Sequence, residues 1–91
     1  MTNYEKHLQE NLRDPLFKKE YEKYSLRIKL AYEIFQLRKK KKMSQSGLAK
    51  KIGTTQSVVA RMEAGKQNFS VDTLFKVADA LNCKVNVGFS N

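Results

Sequence analysis

The stretch that most limits what this chain can fold into is residues 44–64, SQSGLAKKIGTTQSVVARMEA. It holds two short apolar periods with a break between them. Leu48, Ala49 and Ile52 fall on one face of a helix, and Val59 and Met62 on one face of a second. Gly53, Thr54 and Thr55 separate the two. Gly53 suits the position just past a helix end, where a positive φ is often needed. Thr55 can cap the second helix through its hydroxyl, Ser44 can cap the first, and Gly65 can close the second. The stretch therefore specifies two short helices across a tight corner.

Two short helices across a Gly-containing turn make a helix-turn-helix, whose second helix enters the DNA major groove. Small Ala49 faces that second helix, where a larger side chain would hold the helices apart, and Val59 plugs the angle between them. Gln56, Ser57, Ala60 and Arg61 remain outward. Gln pairs bidentately with adenine and Arg with guanine. Any helical hairpin has a polar outer face, so these residues alone decide nothing; their spacing together with the charge does. The net charge is +9, and it is unevenly placed: residues 1–25 carry five acids and five bases, residues 26–91 thirteen bases and four acids. The whole excess lies with the helix-turn-helix. A basic domain attracts polyanions, and counterion release makes that binding salt-dependent.

Residues 48–66, LAKKIGTTQSVVARMEAGK, are similar to the helix-turn-helix of the phage repressor and Cro family, also called the Xre family. The resemblance covers roughly residues 30–81. It implies an all-α fold: a bundle of about five helices, here followed by a short C-terminal strand. It also implies that Gln56, Ser57 and Arg61 contact bases, that Gln45 contacts a phosphate, and that Arg38 and Glu63 form an ion pair tying the first family helix to the recognition helix. Lys50 and Lys66 are further candidate phosphate contacts. Two positions depart from the family pattern. Gly47 stands where a good helix former is usual, at a cost of about 1 kcal/mol in propensity. Lys42 stands where many members have Gly.

The flanks divide the chain into residues 1–25, an amphipathic helical segment; 26–82, the DNA-binding domain; and 83–91, a strand. Asp14-Pro15 is a helix start, since Asp caps and Pro is tolerated at the first helical position. Leu16, Phe17, Tyr21 and Tyr24 then form an apolar stripe that either packs back on its own domain or serves a partner. Residues 26–41 are helical, with Leu30, Ile34 and Leu37 on one face; Ser25 either interrupts this helix or lies within it. Residues 39–42 are four bases at the negative end of the helix dipole, well placed for a phosphate backbone. Ser70 caps a last helix bearing Leu74, Val77, Ala78 and Leu81, and Asn82 ends it. Residues 84–89 alternate, with Val85, Val87 and Phe89 on one side. A lone strand wants another, so pairing with its twin makes it the expected seam of a two-fold dimer.

The single Cys83 and single His7 leave no disulfide, no metal site and no nucleophile–base pair, so neither an enzyme nor a cofactor is expected. No apolar run approaches a membrane span or a signal-peptide core, and a bacterial cytoplasmic protein is expected. The layout resembles HigA-type antitoxins, with Asp14-Pro15-Leu16-Phe17 leading into an Xre helix-turn-helix and then a strand. That resemblance implies a protein that binds a RelE/HigB-like ribonuclease toxin, through Leu16, Phe17, Tyr21 and Tyr24, and represses its own operon at a palindromic operator. The neutral charge of residues 1–25 counts against a basic toxin as partner. The alternative is a stand-alone phage-type Xre regulator without a toxin partner.

Overall fold

The computed structural model describes residues 2–91. Five helices follow one another: α1 (Asn3–Asn11), α2 (Pro15–Lys40), α3 (Gln45–Ile52), α4 (Gln56–Glu63) and α5 (Val71–Ala80). α3 and α4 have eight residues each. Isolated helices shorter than about 12–15 residues are marginal in water, so these two depend on their ends and their packing.

The ends are built as the sequence specifies. Asp14 accepts from the Leu16 amide with Pro15 at the first helical position, Ser44 from Gly47, Thr55 from Val58 and Ser70 from Thr73. The C-termini of α2 to α5 share one closure, in which a residue with positive φ lets the chain double back onto the last carbonyls. Gly53 (φ 76°) and Gly65 (φ 72°) do this after α3 and α4, and Lys42 (φ 56°) and Asn82 (φ 54°) after α2 and α5. The following amides complete it: Met43 donates to the Arg38 carbonyl at 3.1 Å, Lys66 to Arg61 at 3.0 Å and Cys83 to Ala78 at 2.9 Å. The departure at position 42 thus leaves the turn geometry intact and places a lysine in a conformation that suits glycine. The departure at Gly47 has a local reason: a Cβ there would sit 3.2 Å from both Met43 Cγ and the Ser44 hydroxyl that caps the helix.

α2 runs through Ser25 without a break for 26 residues, about 39 Å at 1.5 Å per residue. Its buried residues, Ala31, Ile34 and Arg38, all lie in its C-terminal half. There Ile34 joins Leu48, Ala49, Val59, Met62, Val77 and Leu81 in the core, flanked by Leu37, Met43, Ile52 and Phe69. The N-terminal half projects beyond this core. Leu16 is 76% exposed, Tyr24 is exposed, and no residue of α1 is buried. Phe17 is 37% exposed and Tyr21 is half-buried, so the stripe is covered only in part within the chain.

The expected C-terminal strand does not form. Residues 83–91 carry no regular secondary structure, Val85 is half-buried, and Val87 and Phe89 are exposed. A strand is stable only with a neighbour to receive its backbone hydrogen bonds, and among the described residues there is none to pair with. Among the same residues no helix is long and apolar enough to cross a membrane.

Lys42→Gly should stabilise the protein. It removes a left-handed conformation that costs a residue bearing a Cβ about 1–2 kcal/mol, offset in part by glycine's extra freedom in the unfolded chain. The expected gain is about 0.5–1 kcal/mol in a urea melt, whereas Gly53→Ala, at a φ of 76°, should lower stability.

Candidate nucleic-acid interface

α3 and α4 cross with Leu48, Ala49 and Val59 sealed between them, and Leu48 and Val59 have no exposed surface. This packing turns Gln56, Ser57 and Arg61 outward along one edge of α4, all three exposed. Lys50 of α3 and Lys66, just after α4, are exposed as well. Next to it opens a polar groove between the end of α2 and the starts of α3 and α4, lined by Lys39, Lys42, Ser44, Gln45, Ser46 and Gln56. The groove joins a helix N-terminus to lysines, which is the chemistry that receives a phosphate.

Beneath this surface lies a buried ion pair. Arg38 donates through Nε to Glu63 Oε2 at 2.6 Å and through Nη2 to Glu63 Oε1 at 2.9 Å. Its Nη1 donates to the Met43 carbonyl at 2.9 Å, so a third acceptor steadies the guanidinium. Only 7% of the Arg38 side chain and 6% of the Glu63 side chain are exposed. The hydrogen bond that Arg38 donates to Glu63, reinforced by the carboxylate's charge, raises the Arg38 pKa above its ordinary value against the opposing effect of burial.

The pair continues to the surface through two amides. Gln45 Nε2 donates to Glu63 Oε1 at 3.2 Å, and Gln56 Nε2 donates to Gln45 Oε1 at 2.7 Å. A carboxylate only accepts, so Glu63 orients the Gln45 amide with nitrogen inward, and Gln45 in turn draws in the nitrogen of Gln56. Gln56 is left with its oxygen and one N–H free, an acceptor and a donor side by side. That is the pattern adenine matches in the major groove. The hydroxyl of Ser57 lies 3.1 Å from that of Thr55, which ties it to the helix cap.

The structure therefore brings Arg38, Gln45, Gln56 and Glu63 into one connected chain, with Arg61, Lys50 and Lys66 exposed around it and Ser57 exposed but bonded to Thr55. The linkage between the two glutamines was not legible in the sequence, because it joins the starts of two helices. Nor was the exposed apolar pair Val71 and Phe75 on α5, although its i, i+4 spacing was there to be seen. The stripe of Leu16, Phe17, Tyr21 and Tyr24 lies far along α2 from this surface; Phe17 and Tyr21 stack with ring centroids 6.4 Å apart. Among the described residues no group of three or more His, Cys, Asp or Glu side chains is placed to hold a metal ion.

A two-helix corner with an outward polar edge, cations around it and a buried pair fixing its second helix defines a DNA-binding helix-turn-helix regulator. The comparisons agree. A helix-turn-helix family profile matches residues 34–87, more than half of the chain, and the chain belongs to this family, in its Xre type. Among solved structures it is similar to the restriction-modification controller protein C.AhdI from Aeromonas hydrophila, with 33% identity and a TM-score of 0.64, over 67% of this chain and 88% of that one. No curated protein matches it.

Removing one partner of the buried pair should strand the other charge. Arg38→Ala and Glu63→Ala are each expected to cost about 3–5 kcal/mol in urea melts. The double variant Arg38→Met/Glu63→Leu should cost far less than the sum of the two single losses, because it leaves no unpaired charge behind. Small, additive losses would mean that the two charges act independently.

Proposed function

We propose that this chain is a stand-alone Xre-type transcriptional regulator that binds a near-palindromic DNA site as a homodimer. One observation carries the base-reading part: the Gln56 amide, oriented through Gln45 from the buried Glu63, presents one acceptor and one donor outward beside the exposed Arg61. Gln56, Ser57 and Arg61 then contact bases, and Lys50, Lys66 and the groove beside Gln45 receive phosphates. Gln45 itself serves mainly to orient Gln56. The likeness to a restriction-modification controller supports a regulator that works without a toxin.

Dimer formation is supported by two apolar patches that have no partner within one copy. Val71 and Phe75 are exposed on α5, and Val87 and Phe89 are exposed on the tail that follows it. A two-fold axis through these patches brings two such surfaces together and gives the tail of each copy a neighbour. The recognition helices then read half-sites about 34 Å apart.

A second reading, the antitoxin, keeps one specific support. The first half of α2 offers Leu16, Phe17 and Tyr24 to solvent, and the domain does not use them. Exposed aromatic residues on a projecting helix are the kind of surface a partner groove accepts. On that reading, a RelE/HigB-like toxin would occupy Leu16, Phe17, Tyr21 and Tyr24.

Gel-shift titrations on a duplex selected from a random pool, and on its scrambled counterpart, test the DNA reading. Arg61→Ala should lose about 1–3 kcal/mol on the selected duplex and little on the scrambled one. Lys66→Ala should weaken both alike and lower the slope of log affinity against log salt by about one. Equal losses on both duplexes from Arg61→Ala would remove that residue from the base contacts.

Sedimentation separates the protein interfaces. Deleting residues 84–91 should yield monomers with sharply weaker DNA binding. Deleting residues 1–25 should leave both dimer and DNA affinity intact. If the latter deletion instead abolishes rescue of cells from a toxin encoded beside the gene, the antitoxin reading replaces the stand-alone one.

A further inference from the structure

The ion pair under the recognition helix has a lid. The Arg38 guanidinium carbon lies 5.6 Å from the centroid of the Phe35 ring, within the range of a cation–π contact. The same ring has Lys39 Nζ at 5.8 Å, and the Tyr32 ring is stacked against it at 6.4 Å with 26° between the planes. Phe35 is itself 37% exposed and covers one side of a guanidinium that is almost fully buried. Nε, Nη1 and Nη2 of Arg38 all donate in the plane of the group, to Glu63 and to the Met43 carbonyl. The faces of that plane have no hydrogen bonds to offer, and an aromatic ring over a guanidinium is attractive where water would compete for the donors.

Phe35 comes one helical turn before Arg38, so the ring and the cation belong to the same helix and the contact needs no rearrangement to form. What the contact protects lies further away. Glu63 is shared: its Oε1 accepts from both Arg38 and Gln45. If water enters at Arg38, the carboxylate is free to turn, and the amide polarity of Gln45 and then of Gln56 is no longer dictated.

We propose that Phe35 is a positioning residue for base reading: by covering Arg38 it holds Glu63, Gln45 and Gln56 in the orientation that discriminates one DNA sequence from another. This rests on the reading of Gln56 as a base contact. A structural role alone would lower stability, and with it the binding of every duplex. A positioning role lowers the ratio of selected to scrambled affinity.

The test uses the full chain with Phe35→Leu, which keeps an apolar side chain of moderate size, and Phe35→Trp, which keeps a ring over the cation. Phe35→Leu should lower the ratio of selected to scrambled affinity about three- to tenfold, the fold-change that corresponds to the loss of one partly exposed cation–π contact. Phe35→Trp should hold the ratio within about twofold, because Trp provides the stronger ring for a cation. In the free protein, hydrogen exchange at Arg38 Nε, followed by NMR, should accelerate in the Leu variant and stay slow in the Trp variant. Gln56→Ala serves as the control. If it lowers the ratio while Phe35→Leu leaves both ratio and exchange unchanged, the role of Phe35 is overturned and the base-contact reading stands. If Gln56→Ala leaves the ratio unchanged, the base-contact reading fails and takes the proposal with it. Equal losses from Phe35→Leu on both duplexes would reduce Phe35 to a structural residue.

Discussion

The arrangement of this domain depends on Arg38 being held against Glu63. Burying two charges is costly, and a pair this far from water is tolerable only when the hydrogen-bond geometry is good and the remaining donors find acceptors. Both conditions are met: the contact is two-pronged, and the backbone carbonyl of Met43 takes the third nitrogen. The pair adds little by way of net attraction compared with a well-packed apolar contact. What it does is fix a relationship. It sets one geometry where α2 meets α4, beside the Ile34, Val59 and Met62 packing and close to the outward-facing residues of α4.

The rest of the domain is economical in the same sense. α3 and α4 are too short to stand alone, and each is secured by a side-chain cap at its start and a left-handed closure at its end. The apolar core is small, drawn from the second half of α2 and from α3, α4 and α5. Charge is segregated from it. The neutral N-terminal segment carries the exposed aromatic stripe, and the basic remainder carries the surface suited to a polyanion. One continuous helix therefore serves two environments. Its first half meets solvent or a partner, and its second half is core. Nothing at Ser25 marks the change, because a serine costs a helix little and the change concerns what surrounds the helix rather than its backbone.

The sequence by itself determined the local features. Ser44, Thr55, Ser70 and Asp14 could be named as caps, and Gly53, Gly65 and Asn82 as helix ends, because capping is decided within four residues of chain. The core positions Leu48, Ala49, Val59 and Met62 followed from helical period alone. Tertiary structure decided what depended on distance. The 84–89 alternation satisfies the pattern of a strand, but a strand is a relation between two segments, and one copy supplies only one. The continuity of α2 across Ser25, the exposure of its aromatic stripe and the exposure of Val71 and Phe75 depend on what else packs nearby. The path from Arg38 through Glu63 and Gln45 to Gln56 spans three helices, and its members are up to 25 positions apart in the chain. Residue types and short-range spacing set which groups are available for such a path; only the fold brings their atoms within hydrogen-bonding distance, because a hydrogen bond acts over about 3 Å and sequence periodicity says nothing at that scale across separate helices.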